Sequence, residues 1–475
     1  MVGFYLFCGH TQTRGVIRRQ ILIGGNSIGE LQFDFLELID QRKFVQLRSE
    51  MIEMNVVDLA ECISELEDDP RLMLIFRLLP KEMSAEVFSY LEHDQQQRIV
   101  ESISDKELSV ILDELFLDDT VDFLDEMPAS IVKRVIKIAD PDTRRMINQL
   151  LRYPDESAGS LMTIELMELH RDWDVKRAIE AVRQQSEDKE SVNLLFVTDK
   201  FRNLEGTIRL RDVLIAKDDE IIGDIMETDV ISVNTHDDQA EVAEMFKKYD
   251  LISMPVVDNE GRLVGIITID DVVDVIEEET TEDIYKMAAM EPIEDSYMST
   301  GAFTLAKKRV VWLLVLMLSS ILTGMIINSY NSALATNVLL AAFMPMLMGT
   351  GGNAGSQASV SVIRILTLGE IEFKDIFSVL WKEFRVSLIT GSCVSLVNFA
   401  RIMLTYHDFG LAIVVSITLF LVVIAAELVG CSLPMIATKL NLDPALMASP
   451  LITTIVDALS MLVFFNVAMS VLPGM

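Results

Sequence analysis

One carboxylate, Asp457, stands alone in the apolar run ITTIVDALSMLVFF (452–465). An ionised acid at membrane depth costs several kcal/mol or more unless it meets water, a cation or a partner. Thr453 and Thr454 lie one turn earlier and present hydroxyls on nearly the same helical face. That spacing predicts that Asp457 lines a wet pore for a cation; a protonated or hydrogen-bonded structural acid is the alternative. The stretch PMLMGTGGNAGSQ (345–357) places Pro345 and four glycines beside Asn353 and Gln357. Proline and clustered glycine discourage regular helix, and irregular backbone at membrane depth is tolerated where it lines a wet cavity. We therefore expect a pore-lining break, with Gly352, Asn353 and Gln357 at it; close helix packing through small residues is the other reading. Glu427 is a second apolar-run acid, either facing the pore or held by a structural hydrogen bond.

These residues need elements that cross a bilayer. Residues 310–327 contain no charge, and further apolar stretches cover about 333–363, 386–400, 410–438 and 445–472, which predicts five spans. Lys307, Lys308 and Arg309 precede the first, Arg364, Lys374, Lys382 and Arg385 separate the second from the third, and Lys439 follows the fourth. The opposite connections hold only Arg401, so the first 300 residues are expected in the cytoplasm and the C-terminus outside.

Charge divides the chain in the same place. Of 40 Lys+Arg and 73 Asp+Glu, residues 301–475 hold 9 and 8, which leaves 31 and 65 for residues 1–300, a net of −34. Such a field repels nucleic acid and anionic headgroups. It is either a solvated acidic surface or a store of divalent-cation sites. Cys8, Cys62, Cys393 and Cys431 show no metal-finger spacing, so free thiols are expected and zinc or copper(I) is disfavoured. The opening GFYLF run is too short for a signal segment, and residues 1–30 are unassigned.

Residues 55–151 alternate short amphipathic helical patterns with Asp/Pro punctuation. Leu79-Pro80 and Met127-Pro128 recur 48 residues apart, which suggests a helical superhelix; His93 reads as a surface residue. Residues 157–280 contain a second repeat: Leu161-Met162-Thr163 corresponds to Ile225-Met226-Glu227, each followed by a helix and an apolar strand with an Asp turn.

This repeat resembles a tandem of cystathionine-β-synthase (CBS) domains. With LLRYPDESAGSLMT (150–163), the glycine stretch, and Asp443-Pro444-Ala445…Pro450…Asp457, about 33–475 resembles the MgtE family of magnesium channels. The resemblance implies an α-helical superhelical N domain (31–155), α/β CBS domains (156–222 and 223–278), a connecting "plug" helix (279–304) and an all-α five-helix membrane domain (305–475). It further implies a homodimer in a bacterial plasma membrane with one central pore, closed when Mg2+ occupies cytoplasmic acidic sites. Asp457 matches the acid that binds hydrated magnesium from both subunits. Asp238, Asp250, Asp271 and Asp274, with Glu279, Glu282 and Asp283 of the connecting helix, match regulatory positions, and Asp118, Asp119 and Asp122 are expected as their partners. Ala240 stands where an acid is usual, and Ala448-Ser449-Pro450 where Ser-Gly-Pro is common. The second CBS unit retains Thr268-Ile269-Asp270-Asp271, a pattern compatible with a nucleotide such as ATP, whereas the first ends in Arg209-Leu210-Arg211-Asp212. A broader divalent transporter of Co2+, Mn2+ or Ni2+ and a membrane-anchored CBS nucleotide sensor are the alternatives; no P-loop, nucleophile elbow or paired catalytic carboxylates point to an enzyme.

Overall fold

A computed structural model describes residues 22–23, 26–27 and 35–471, apart from 65, 67–70, 187–188, 294–296, 298–299, 337 and 448. The unassigned segment 1–30 thus lies almost wholly outside the described residues, as does Ala448. The chain forms two units that meet between Val275 and Ile276.

The first unit opens with a run of short helices: α1 (Phe44–Glu53), α2 (Val56–Ser64), α3 (Leu72–Leu78), α4 (Lys81–Ser89), α5 (His93–Ser102), α6 (Asp105–Leu112), α7 (Leu117–Asp125), α8 (Ala129–Ile138) and α9 (Pro141–Leu150). Pro80 and Pro128 sit at the N-caps of α4 and α8, where a missing N–H costs nothing. Ser104 closes a capping box with Glu107 at the start of α6. Each helix buries one stripe, and the aromatic rings of Phe76, Phe88 and Phe123 meet edge to face inside.

The repeat becomes two small sheets of the same plan. In the first, β1 (Leu166–His170) pairs parallel with β2 (Ser191–Thr198), which pairs antiparallel with β3 (Leu204–Arg209); α10 (Val175–Gln185) is the crossover and α11 (Leu210–Ile215) follows. In the second, β4 (Val233–Asn234) pairs parallel with β5 (Ser253–Val257) and β5 antiparallel with β6 (Leu263–Thr268), with α12 (Gln239–Tyr249) as crossover. The two halves exchange edges: Thr163, before the first, hydrogen-bonds both ways with Ile266 of β6, and Glu227, before the second, does the same with Thr207 of β3. This close approach requires glycine. A Cβ at Gly265 would lie 2.7 Å from the Thr163 carbonyl oxygen, and one at Gly206 2.8 Å from that of Glu227. Apolar residues of the helical run and of the second sheet, from Phe35 to Val275, share one core.

α13 (Ile269–Met287) leads into the second unit. Five long apolar stretches follow: α14 (Ala302–Ser329), α15 (Met344–Thr367) with a 3-10 turn Val338–Phe343 before it, α16 (Ile376–Tyr406), α17 (Phe409–Lys439), and α18 (Ser449–Val471) after the 3-10 turn Pro444–Met447. At about 1.5 Å per residue each is long enough to cross ~30 Å of hydrocarbon. The third is longer than its uncharged sequence core, since Lys382 and Arg385 fall inside α16.

The expected break at 345–357 is absent. α15 runs unbroken from Met344 to Thr367, so the backbone carbonyls at Gly351–Asn353 stay in the helical ladder. Pro345 occupies the first turn, where it removes no bond, and three of the four glycines, Gly351, Gly352 and Gly355, face neighbouring helices. A Cβ at Gly351 would lie 2.7 Å from Val422, one at Gly352 2.9 Å from Thr453, and one at Gly355 2.8 Å from Ile452. Tight packing, not irregular backbone, explains the composition.

Candidate functional site

In the membrane unit, α15 packs against both α17 and α18. Val456 and Ser460 of α18 lie over Gly351, and Thr453 lies over Gly352. Asp457 sits on α18 beside this seam, half-buried, with its Oδ1 enclosed and without a hydrogen-bond partner. Ser460 Oγ, three residues on, is likewise buried and unpartnered. Thr454 spends its hydroxyl on the Pro450 carbonyl at 3.0 Å. Asn353 and Gln357, at i and i+4 on α15, are exposed on one face of the chain, in contrast to buried Gly352. Glu427 differs from Asp457: it is 6% exposed on α17, and its Oε1 accepts from Thr390 of α16 at 2.8 Å, which cross-links two helices.

The linker into this unit carries a second charged group. Lys286 of α13 reaches Glu282 at 2.7 Å and Asp443, before α18, at 2.9 Å. Burial opposes its charge, but the hydrogen bonds it donates to Asp443 and Glu282 outweigh that and raise its pKa. Asp283 is raised by burial and by the neighbouring Asp443. Glu279 lies one turn earlier on α13.

The first unit gathers acids from three places. Asp118, Asp119 and Asp122 of α7 stand near Asp271, just after β6, and Glu190, just before β2. Burial pushes Asp118 up to about 7, Asp119 to about 6, Asp122 to about 8 and Glu190 to about 8, with repulsion among them adding to each rise. Asp271 rises to about 7 through burial, although Thr268 Oγ1 donates to it at 2.8 Å. Asp118 Oδ1 and Glu190 Oε2 are buried without hydrogen-bond partners. This all-oxygen set, rich in negative charge, matches a hard divalent cation. Among the described residues, however, no three acidic, His or Cys side chains are arranged to cage an ion as they stand.

The other expected regulatory acids are dispersed. Asp238 caps the N-terminus of α12 through the Ala240 N–H, and Asp250 ends that helix in the left-handed conformation. The eleven-residue helix between its two caps puts them about 18 Å apart, so the two do not share a site within one chain. Asp274 is exposed on α13. Glu190 and Glu165 beside the cluster carry no signal in the sequence, and Asp270 stands out there only within the nucleotide pattern. Glu190 occupies a polar connection between α10 and β2 with no spacing signal, and only tertiary structure brings it to α7.

Comparison with known proteins places these features. Residues 344–467 match the family model described as a divalent cation transporter (MgtE), residues 54–156 the MgtE intracellular N domain and residues 222–278 a CBS domain. The magnesium transporter MgtE of Thermus thermophilus is 36% identical over 426 residues, 89% of this chain and 94% of the relative. The magnesium transporter MgtE of Bacillus subtilis is 31% identical over 439 residues, 92% of this chain and 97% of the relative. The crystal structure of the cytosolic domain of the Mg2+ channel MgtE in complex with ATP is 35% identical, with a TM-score of 0.49, and covers 51% of this chain and 99% of that one. With its intracellular N domain, CBS domains and five apolar helices all accounted for along nearly full-length relatives, the chain belongs to the MgtE family of multi-pass divalent cation transporters.

Proposed function

We propose that this protein is a magnesium-selective channel that admits Mg2+ across the membrane and closes when Mg2+ binds its acidic cytoplasmic domains. The observation that carries the reading is Asp457: a half-buried carboxylate on a membrane helix, one oxygen enclosed and unpartnered, beside a seam of glycine and hydroxyl groups. Magnesium keeps its water tightly and prefers octahedral oxygen, so a passage site touches it largely through water. In a two-fold homodimer Asp457 and its symmetry mate offer two carboxylates to one axial ion. Asn353 and Gln357, on a face the single chain leaves open, supply polar groups for that hydration shell, and Thr453 and Thr454, one turn before Asp457 on α18, add hydroxyls.

Gating follows from charge. The surplus of negative charge in residues 1–300 repels itself when domains approach, and divalent ions shared between carboxylates lower that cost. Asp118, Asp119, Asp122 and Asp271, together with Glu190, form one such place; Asp238, Asp250 and Asp274 serve contacts with the second subunit. Glu279, Glu282 and Asp283 sit on the helix that carries the change towards the pore. In this reading the N-terminal domains are cytoplasmic and the C-terminus is outside. The alternative reading is a broader divalent cation transporter that takes Co2+, Mn2+ or Ni2+, in keeping with the family's description as divalent cation transporters.

Uptake of Mg2+ into cells lacking their own transporters tests the assignment. Asp457→Ala should reduce uptake to background while the protein still inserts in the membrane; normal uptake by that variant would remove Asp457 from the path.

A further inference from the structure

The membrane unit carries a second built feature, away from Asp457, at the edge where α16 ends. A groove of about 320 Å³ opens between α15, α16 and α17, walled by Met346, Cys393, Val394 and Val397 and floored by Asn398 and Arg401. Asn398 is 5% exposed, and its Oδ1 accepts from Arg401 Nε at 3.2 Å and Nη2 at 3.0 Å. A guanidinium only donates, so the amide oxygen must face it, and the amide NH2 is turned the other way. That Nδ2 is buried and has no partner. A buried donor left unmade costs about 1–3 kcal/mol, so the site is short of an acceptor.

The depth is set by neighbouring rings. Arg401 lies five residues before the end of α16, about 7 Å from it along the axis. Its guanidinium is 5.9 Å from the Phe343 ring, which meets Tyr406 edge to face at 5.6 Å. Phe343 is itself buried, but Tyr406, 42% exposed near the end of α16, and the basic Arg401 are residue types that mark the membrane–water boundary, the depth of lipid phosphates. Deeper along the same helix Val397 is 66% exposed and Val394 38%, an apolar track on which an acyl chain can lie. Arg401 excludes a cation, and no carboxylate lines the groove to compensate it.

We propose that this groove is a binding site for an anionic phospholipid, its phosphate accepting from Arg401 and from Asn398 Nδ2 and its acyl chain following Val394 and Val397. Charge complementarity and interfacial depth select the phospholipid over a second copy of the chain.

Native mass spectrometry of the full-length protein in detergent, titrated with phosphatidylglycerol or with phosphatidylcholine of the same acyl chains, tests this. One interfacial positive charge predicts that the first phosphatidylglycerol binds about fivefold more tightly than phosphatidylcholine. Arg401→Gln should abolish that preference, Arg401→Lys should keep most of it, and Asn398→Asp, which neutralises the guanidinium with little change of shape, should abolish it too. Equal binding of the two lipids by the wild type, or an unchanged preference in Arg401→Gln, overturns the proposal. So does an Arg401-dependent site that takes oleate as tightly as phosphatidylglycerol, since the ligand would then be a free carboxylate.

Discussion

An ionisable group inside a membrane helix survives by finding a partner in the protein or by meeting water and ions, and Glu427 and Asp457 differ in the partners the fold gives them. Glu427 has a partner: it is enclosed between α16 and α17 and bound by Thr390. Thr390→Val removes that donor, so we expect a lower melting temperature, corresponding to about 1–3 kcal/mol, with ion selectivity unchanged. A thermal unfolding curve paired with a flux assay checks both parts; altered selectivity would place Glu427 in the path instead. Each acid keeps one enclosed oxygen without a partner, Glu427 Oε2 and Asp457 Oδ1, but Asp457 has no cross-helix donor like Thr390, and that is the feature the transport reading uses. Asp457 was legible from sequence because a lone charge in an apolar run needs only periodicity and hydropathy to be noticed. Glu190 was not legible, because its environment is made by helix α7, some 70 residues away in the chain.

At the scale of elements, glycine was the misleading signal. Four glycines in seven residues lower helix propensity, yet propensity is worth only about 1 kcal/mol per glycine and yields to packing against neighbouring helices. The structure gives Gly351, Gly352 and Gly355 each a specific neighbour and leaves Gly349 open. A Cβ at Gly430 of α17 would run into the Gly355 carbonyl of α15, whereas one at Gly349 would meet nothing within 4 Å. Gly430→Leu should therefore prevent the membrane unit from assembling, through overpacking of more than ~3 kcal/mol, while Gly349→Ala should be tolerated. Monodisperse yield by size-exclusion chromatography separates the two; equal behaviour would mean that the α15–α17 contact is looser than described. The CBS pair shows the opposite case, where local pattern sufficed. Its correspondence between residues 161–163 and 225–227 is realised as two equivalent edge exchanges, each against a glycine.

For the whole molecule, separation of charge matters more than any one contact. The acids between α7, β2 and β6 have pKa values raised to about 6 to about 8 in the fold. In the unfolded chain the same groups titrate near 4. A raised carboxylate binds protons on folding, so its stabilising contribution is complete below about pH 4 and is lost as pH climbs through 6 to 8. Without divalent ions the cytoplasmic unit should thus loosen towards pH 8, seen as faster limited proteolysis, and Mg2+ should reverse this. Because Mg2+ must displace those protons, its binding at about pH 6.5 should release them, and at about pH 9 release none. Calorimetry of the full-length protein in buffers of different ionisation heat reads the difference; heats of Mg2+ binding that do not depend on the buffer at about pH 6.5 would detach the cluster from metal binding.

Single-channel recording in planar bilayers tests the central claim most directly, with Mg2+, Ca2+ and Na+ offered in turn and Mg2+ varied on the side of the N-terminal domains. The account predicts unitary Mg2+ currents that exceed those of the other ions, vanish in Asp457→Asn and shut as Mg2+ on that side is raised. Flux without unitary steps, or steps indifferent to Mg2+ at the acidic domains, would contradict it.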